Sequence, residues 1–206
     1  MPLVAGNFTT STTNPGAALS TTVAHTHNAG ADSYLYVVTG SSSSFVTGVT
    51  YNGVAMTLVT NDTTTSTASN LRIYRLANPS VGANDVVVSY SSGPFNPVNI
   101  DIQSFTGCGG DSQTTFVDTS GPPTSATITV SAKSIILAAA VAGTVGTSAG
   151  ICDPFLWNIG INNFAFGGLS QNLTEGSRTV TFNASSQIAI RVLEILAIPN
   201  NEAILI

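Results

Sequence analysis

Phe45-Val46-Thr47-Gly48-Val49-Thr50-Tyr51-Asn52-Gly53-Val54-Ala55-Met56-Thr57-Leu58-Val59 places two alternating runs on either side of an Asn-Gly dipeptide. Asn and Gly both accept the positive φ of a type I′ turn, so the stretch reads as a β-hairpin with Tyr51 opposite Val54. In that register Val49 faces Met56, and Val49, Tyr51, Val54, Met56 and Leu58 project from one side. Gly48, Thr50, Ala55 and Thr57 fall on the other. A ribbon with one apolar face needs a second layer to cover it, which points to a layered all-β domain.

The rest of the chain repeats this pattern. Leu19 to Asn28 reads as a strand, and Tyr34-Leu-Tyr-Val-Val-Thr39 as a central one, because both of its faces are apolar. Leu71 to Leu76 and Asp85 to Tyr90 follow. In Val98-Asn-Ile-Asp-Ile-Gln-Ser-Phe105 the alternation is cleanest: Val98, Ile100 and Ile102 are expected inward, and Asn99, Asp101 and Gln103 outward. Ala126 to Val130, Ile135 to Ala142, Phe155 to Ile161, Asn163 to Leu169, Arg178 to Phe182 and Gln187 to Leu196 complete the set. The alanines of Ile135 to Ala142 imply close packing beneath a facing sheet. About a dozen short strands divided by Gly, Pro, Asn and Ser turns, without helical periodicity, define a single two-sheet antiparallel β-sandwich. The expected organisation is an N-terminal arm or edge strand at 1–16, a sandwich over 17–199 and a tail at 200–206. No internal repeat is visible.

Composition narrows the function classes. Only 7% of the 206 residues are charged, against about 25% in ordinary soluble domains. With 43% hydrophobic residues this is the reverse of a disordered composition. One lysine and four arginines in a chain of net charge −5 cannot build a phosphate-binding groove, so nucleic acid is disfavoured and not expected as a partner. Anionic lipid is disfavoured for the same reason, and the apolar run at Ile135 to Ala142 is too short to span a bilayer. The first residues lack the basic and apolar regions of a secretory signal.

Candidate chemistry is sparse. His25-Thr-His27 sets two imidazoles on one strand face, as sheet proteins present paired metal ligands. They are the only histidines and no glutamate lies nearby, so the plainer reading is two partly exposed polar residues on an edge strand. Asp101 and Glu194 are conceivable as the two carboxyls of a glycosidase, but nothing in the sequence pairs them. No Gly-x-Ser-x-Gly elbow occurs. The chain therefore reads as a non-enzyme that needs no cofactor and no metal. Phe95 and Trp157 are candidates for stacking on sugar rings, with core packing as the alternative. Cys108 and Cys152 sit in loop-like contexts and allow one disulfide. The loop aspartates Asp62, Asp111 and Asp153 lie in no dense oxygen-ligand run.

Val49-Thr-Tyr-Asn-Gly-Val-Ala-Met-Thr-Leu58, Leu71-Arg-Ile-Tyr-Arg-Leu-Ala-Asn-Pro79, Gly82 to Ser89, Ser104-Phe-Thr-Gly107 and the closing Ile188 to Leu196 follow a recurring order. Over about Ala17 to Pro199 the chain resembles the jelly-roll-like β-sandwich modules of tailed-phage virion proteins and some secreted bacterial proteins. The resemblance implies a jelly-roll-like topology. It carries no catalytic signature. A free-standing module of this kind is expected on a virion surface as a head decoration protein, with the major capsid protein, other virion subunits or a second copy of itself as partners. The alternative is a carbohydrate- or receptor-binding module of a fibre or a secreted adhesin. Leu3, Val4, Ile204, Leu205 and Ile206 are the apolar terminal residues expected to dock on a partner.

Overall fold

The computed structural model describes residues 2–14, 16–41, 46–60, 70–91, 98–119, 124–142, 155–161, 165–170, 173–182 and 188–198. Among these residues there are sixteen strands and no helix. In chain order they are β1 (Val4–Thr13), β2 (Ser20–His27), β3 (Tyr34–Ser41), β4 (Val46–Tyr51), β5 (Val54–Ala55), β6 (Thr57–Thr60), β7 (Asn70–Ala77) and β8 (Gly82–Tyr90). Then follow β9 (Val98–Thr106), β10 (Cys108–Thr119), β11 (Thr124–Val130), β12 (Ile135–Ala142), β13 (Phe155–Ile161), β14 (Ala165–Ser170), β15 (Gly176–Phe182) and β16 (Ile188–Ala197). Every pairing is antiparallel, so the fold is all-β as the Thr-rich alternation predicts.

Among the described residues the strands lie in four sheets, where the alternation suggests two. Sheet A has the order β1-β9-β3-β7-β6, sheet B β2-β8-β4-β5, sheet C β10-β16-β12-β14-β13 and sheet D β11-β15. Three apolar cores join them in the stack B-A-C-D. Val23, Val49, Tyr51, Val86 and Val88 of sheet B meet Leu35, Val37, Tyr74, Ile100 and Ile102 of sheet A. The alternate residues of sheet A, among them Tyr36, Val38, Leu71, Ile73 and Phe105, meet Ile135, Leu137, Ala139, Leu193 and Ile195 of sheet C. The other face of sheet C, with Ile136, Ala138, Ala140, Ile190 and Val192, meets Ala126, Ile128, Val130 and Val180 of sheet D. Sheets A and C are thus covered on both faces, which is why β3 and β12 read as apolar on both.

The two halves repeat one strand order. Replacing β1, β9, β3, β7 and β6 by β10, β16, β12, β14 and β13 turns sheet A into sheet C, and replacing β2-β8 by β11-β15 turns the first half of sheet B into sheet D. Among the described residues the second unit has no counterpart of β4 and β5. The halves are related in topology although no repeat is visible in sequence, because a sheet constrains only which face is apolar. Gly107 alone links β9 to β10, at φ +64. A Cβ there would stand 2.2 Å from the Pro2 carbonyl oxygen, so only glycine admits the approach. Its N–H donates to Ala31 O and its carbonyl accepts from the Ile198 N–H. The first and last described residues therefore meet at the joint between the halves.

The Asn-Gly hairpin has the expected register, Tyr51 to Val54 and Thr50 to Ala55, with Asn52 at φ 48 and Gly53 at φ 75. It is shorter than expected. Met56 donates to Val49 O, and the chain then crosses to sheet A, where Leu58 pairs with Tyr74. Val54 and Leu58 are left 50% and 39% exposed rather than covered. Residues 4–13 form an edge strand bonded along β9. Cys108 lies at the start of β10, a strand whose Gly, Ser and Thr content hid it in the sequence.

Candidate functional site

A polar seam forms where edge strand β2 of sheet B lies over edge strand β1 of sheet A. Strand β2 alternates without a fault: Ser20, Thr22, Ala24 and Thr26 are exposed, while Thr21, Val23, His25 and His27 are buried. Both imidazoles therefore face the core, at 2% and 1% exposure, where the sequence suggested partly exposed residues. The reason is that the inner face of β2 is roofed by β1 and β9. His25 Nδ1 shares a hydrogen bond with Thr9 Oγ1 at 2.9 Å and its Nε2 one with Ser104 Oγ at 2.8 Å. The Tyr51 ring meets the His25 ring edge-on, 6.4 Å away. Neither ring nitrogen of His27 has a hydrogen-bond partner. Burial, and then the neighbouring His27, holds His25 down to about pKa 4, and burial lowers His27 as well. Both rings are thus neutral at pH 7.

Ser104 and His25 have the contact distance of a nucleophile and its base, yet Ser104 is 1% exposed and the second imidazole nitrogen meets a threonine hydroxyl, not a carboxylate. As built, the pair is closed to a reactant and its hydrogen bonds join sheets A and B. No group of three or more His, Cys, Asp or Glu with metal-binding geometry occurs among the described residues. A divalent ion on two neutral imidazoles without a carboxylate would also sit in a dry core uncompensated.

On the opposite face of β9 the three residues expected outward are buried: Asn99 at 3%, Asp101 at 7% and Gln103 at 3% exposure. The cause is that β9 is central, flanked by β1 and β3, and sheet C covers that face of sheet A. Thr10 Oγ1 donates to Asp101 at 2.6 Å, Thr12 Oγ1 to Asn99 at 2.7 Å, and the Gln103 amide to the Gly6 and Asn7 carbonyls. Strand β1 is fastened to β9 by side chains as well as backbone. Burial pushes Asp101 up to about pKa 6, against the opposing bond from Thr10.

Glu194 does not join Asp101 in a cleft. It is buried on β16 with the parity of Ile190 and Val192, facing sheet D, and Asp101 lies in sheet A. Its carboxylate accepts from the Ser131 N–H and from Ser112 Oγ, securing the turn between β11 and β12. Asp111, weighed as a calcium ligand, instead accepts from Tyr36 Oη at 2.9 Å and from Arg75 Nη1, tying β10 to sheet A. Burial, and then Asp111, raises the Tyr36 pKa well above the ordinary phenol value. Thr9, Ser104, Tyr36 and Arg75 carry no local motif, so sequence patterning could not single them out.

Of the docking candidates, Leu3 packs on the core between sheets A and C and Val4 is 47% exposed, while Ile204, Leu205 and Ile206 lie outside the described residues. Phe95 also lies outside them. Trp157 falls on β13, paired with Leu169. Cys108 is a free, buried thiol whose pKa burial pushes up to about 11, and Cys152 is outside the described residues. An open groove of 390 Å³ crosses the outer side of sheet B, lined by Thr50, Asn52, Gly53, Ala83, Asn84, Asp85 and Val87. Comparison with protein families, curated proteins and solved structures gives no significant match.

Proposed function

We propose that the protein is a structural and interaction component of a virion, a head decoration or cement protein bound to a capsid shell. The observation that supports this reading is the strand order. With β6 set aside, the strand orders β1-β9-β3-β7 and β2-β8-β4-β5 are compatible with an eight-stranded jelly roll, an architecture common in capsid proteins, and the order of sheet A and of β2-β8 recurs in the second half. The two units, joined through the core between sheets A and C, make a stiff body with two outer sheets at opposite ends. The outer side of sheet D carries Ser125, Thr127, Thr129, Ser177 and Thr179, all exposed, and no charge among these residues. A body of this kind adds contacts between shell subunits and stabilises the assembled state by mass action.

Quantitative mass spectrometry of purified particles tests the reading. Hundreds of copies per particle are expected. None in particles, with the protein in the surrounding medium, overturns it. The second reading, a carbohydrate- or receptor-binding module, draws on the sheet B groove, where Asn52, Asn84, Asp85 and Thr50 supply polar groups. No aromatic residue lines it, so sugar binding there would rest on hydrogen bonds and be weak. A handful of copies per particle favours that reading.

A further inference from the structure

The chain has two histidines, and both stand side by side on the buried face of one edge strand. Among the described residues strand β2 is hydrogen-bonded to one neighbour, β8, so its hold on sheet A depends on its inner face. That face is Thr21, Val23, His25 and His27. Hydrogen bonds join the strand to β1: Thr9 to His25, the Asn7 amide donating to Thr26 O, and Thr13 to Thr21. The second unit supplies an internal comparison. Its corresponding strand β11 buries Ala126, Ile128 and Val130, with no ionisable group.

We propose that β2 is an acid-released edge: proton uptake by His25 and His27 frees this strand from sheet A and opens the first unit along the β1–β2 seam, while the second unit stays closed. A charged His27 would have two buried N–H donors without acceptors, beside a second imidazolium on the same face. Among the described residues the surroundings offer no compensating charge. Strand β4 presents the phenol of Tyr51 and β8 the amide of Asn84 and the phenol of Tyr90; β7 contributes Tyr74 to the same core. The faces of β1, β3 and β9 turned to the pair carry Thr9, Leu35 and Ser104 and no ionisable group. Asp85 is exposed on the outer side of β8, Asp101 is bonded to Thr10 on the far side of β9, and Asp32 is exposed in the turn after β2.

The sign follows from the direction of the shifts. Both folded-state values lie below the ordinary 6.5, so the hold on β2 is complete above that pH and is lost as pH falls towards the folded-state value, about 4 for His25. His25 alone gives a roughly 20-fold loss of protection between pH 7 and pH 5. Asp101 responds in the opposite sense, since its raised value makes protonation favour the folded sheet, so β1 stays on β9 as β2 leaves.

Amide hydrogen exchange of the full chain at pH 7 and pH 5, corrected for intrinsic rates, tests this. Protection over residues 20–27 should fall roughly tenfold or more while residues 125–130 hold. Equal change in both strands, or none in either, overturns the proposal. His25→Gln with His27→Leu should abolish the fall, and a fall that persists in that variant counts against it. Imidazole proton shifts of the unsubstituted protein give a readout that does not depend on the variant folding. Rings that stay neutral until β2 protection is lost support the proposal; rings that titrate near the ordinary value with β2 still protected overturn it.

Discussion

Asp101 shows how one residue can look ordinary in sequence and be unusual in place. Between Ile100 and Ile102 it reads as the outward member of an alternating pair, and alternation does assign it correctly to the face opposite those two. What alternation cannot report is whether that face meets water or another sheet. Here it meets sheet C, and the carboxyl is left with a single donor, Thr10. With its folded-state value raised from 3.8 to about 6, its ionisation opposes folding: the stabilisation is complete below the unfolded value and lost as pH rises through 6. Asp101→Asn keeps an acceptor for Thr10 and removes the charge. We expect it to raise stability at pH 7.5 by about 2–3 kcal/mol, with the gain gone by pH 4. Urea denaturation of both proteins at the two pH values measures it. The paired histidines were legible as a same-face pair for the same reason that Asp101 was, and their burial was hidden for the same reason too.

The hairpin was the element best written in the sequence, because its turn has a backbone requirement that few residues meet. Gly53 holds φ 75 with open space where a Cβ would stand, so Gly53→Ala introduces backbone strain without a clash. The expected cost is about 1 kcal/mol, read as a lower urea midpoint with unchanged m-value. Elements without such a requirement were harder to find. Strand β10 was missed because Cys108 to Thr119 offers glycine and hydroxyls where a strand usually shows branched apolar residues. It is a strand because β16 lies along it, with register shifts beside Gly110 and after Asp111. The exit of the chain from sheet B at Met56 was equally unmarked, since Thr57 to Thr60 has the same composition whichever sheet it joins.

At the level of the whole molecule, sheets A and C have no free face, and each core shares a sheet with the next. A cavity made between them should therefore weaken both halves at once. Leu137→Ala, in the shared core at 1% exposure, is expected to cost 2–5 kcal/mol. Calorimetry should still give a single transition at lower temperature; two separate transitions would mean that the halves melt independently. The all-β class was readable from composition and turns, but the number of layers was not, because an apolar strand looks alike whichever neighbour covers it. The meeting of Pro2 and Ile198 at Gly107 has a mechanical consequence. Val4 pairs with Thr106, Cys108 with Ala197, and one glycine separates these pairs, so a load applied between Pro2 and Ile198 acts across the strands beside that joint. Such a pull would peel β1 from β9 pair by pair, at low force, and leave the stacked sheets unloaded; a body tethered at this pole transmits almost no tension through its cores.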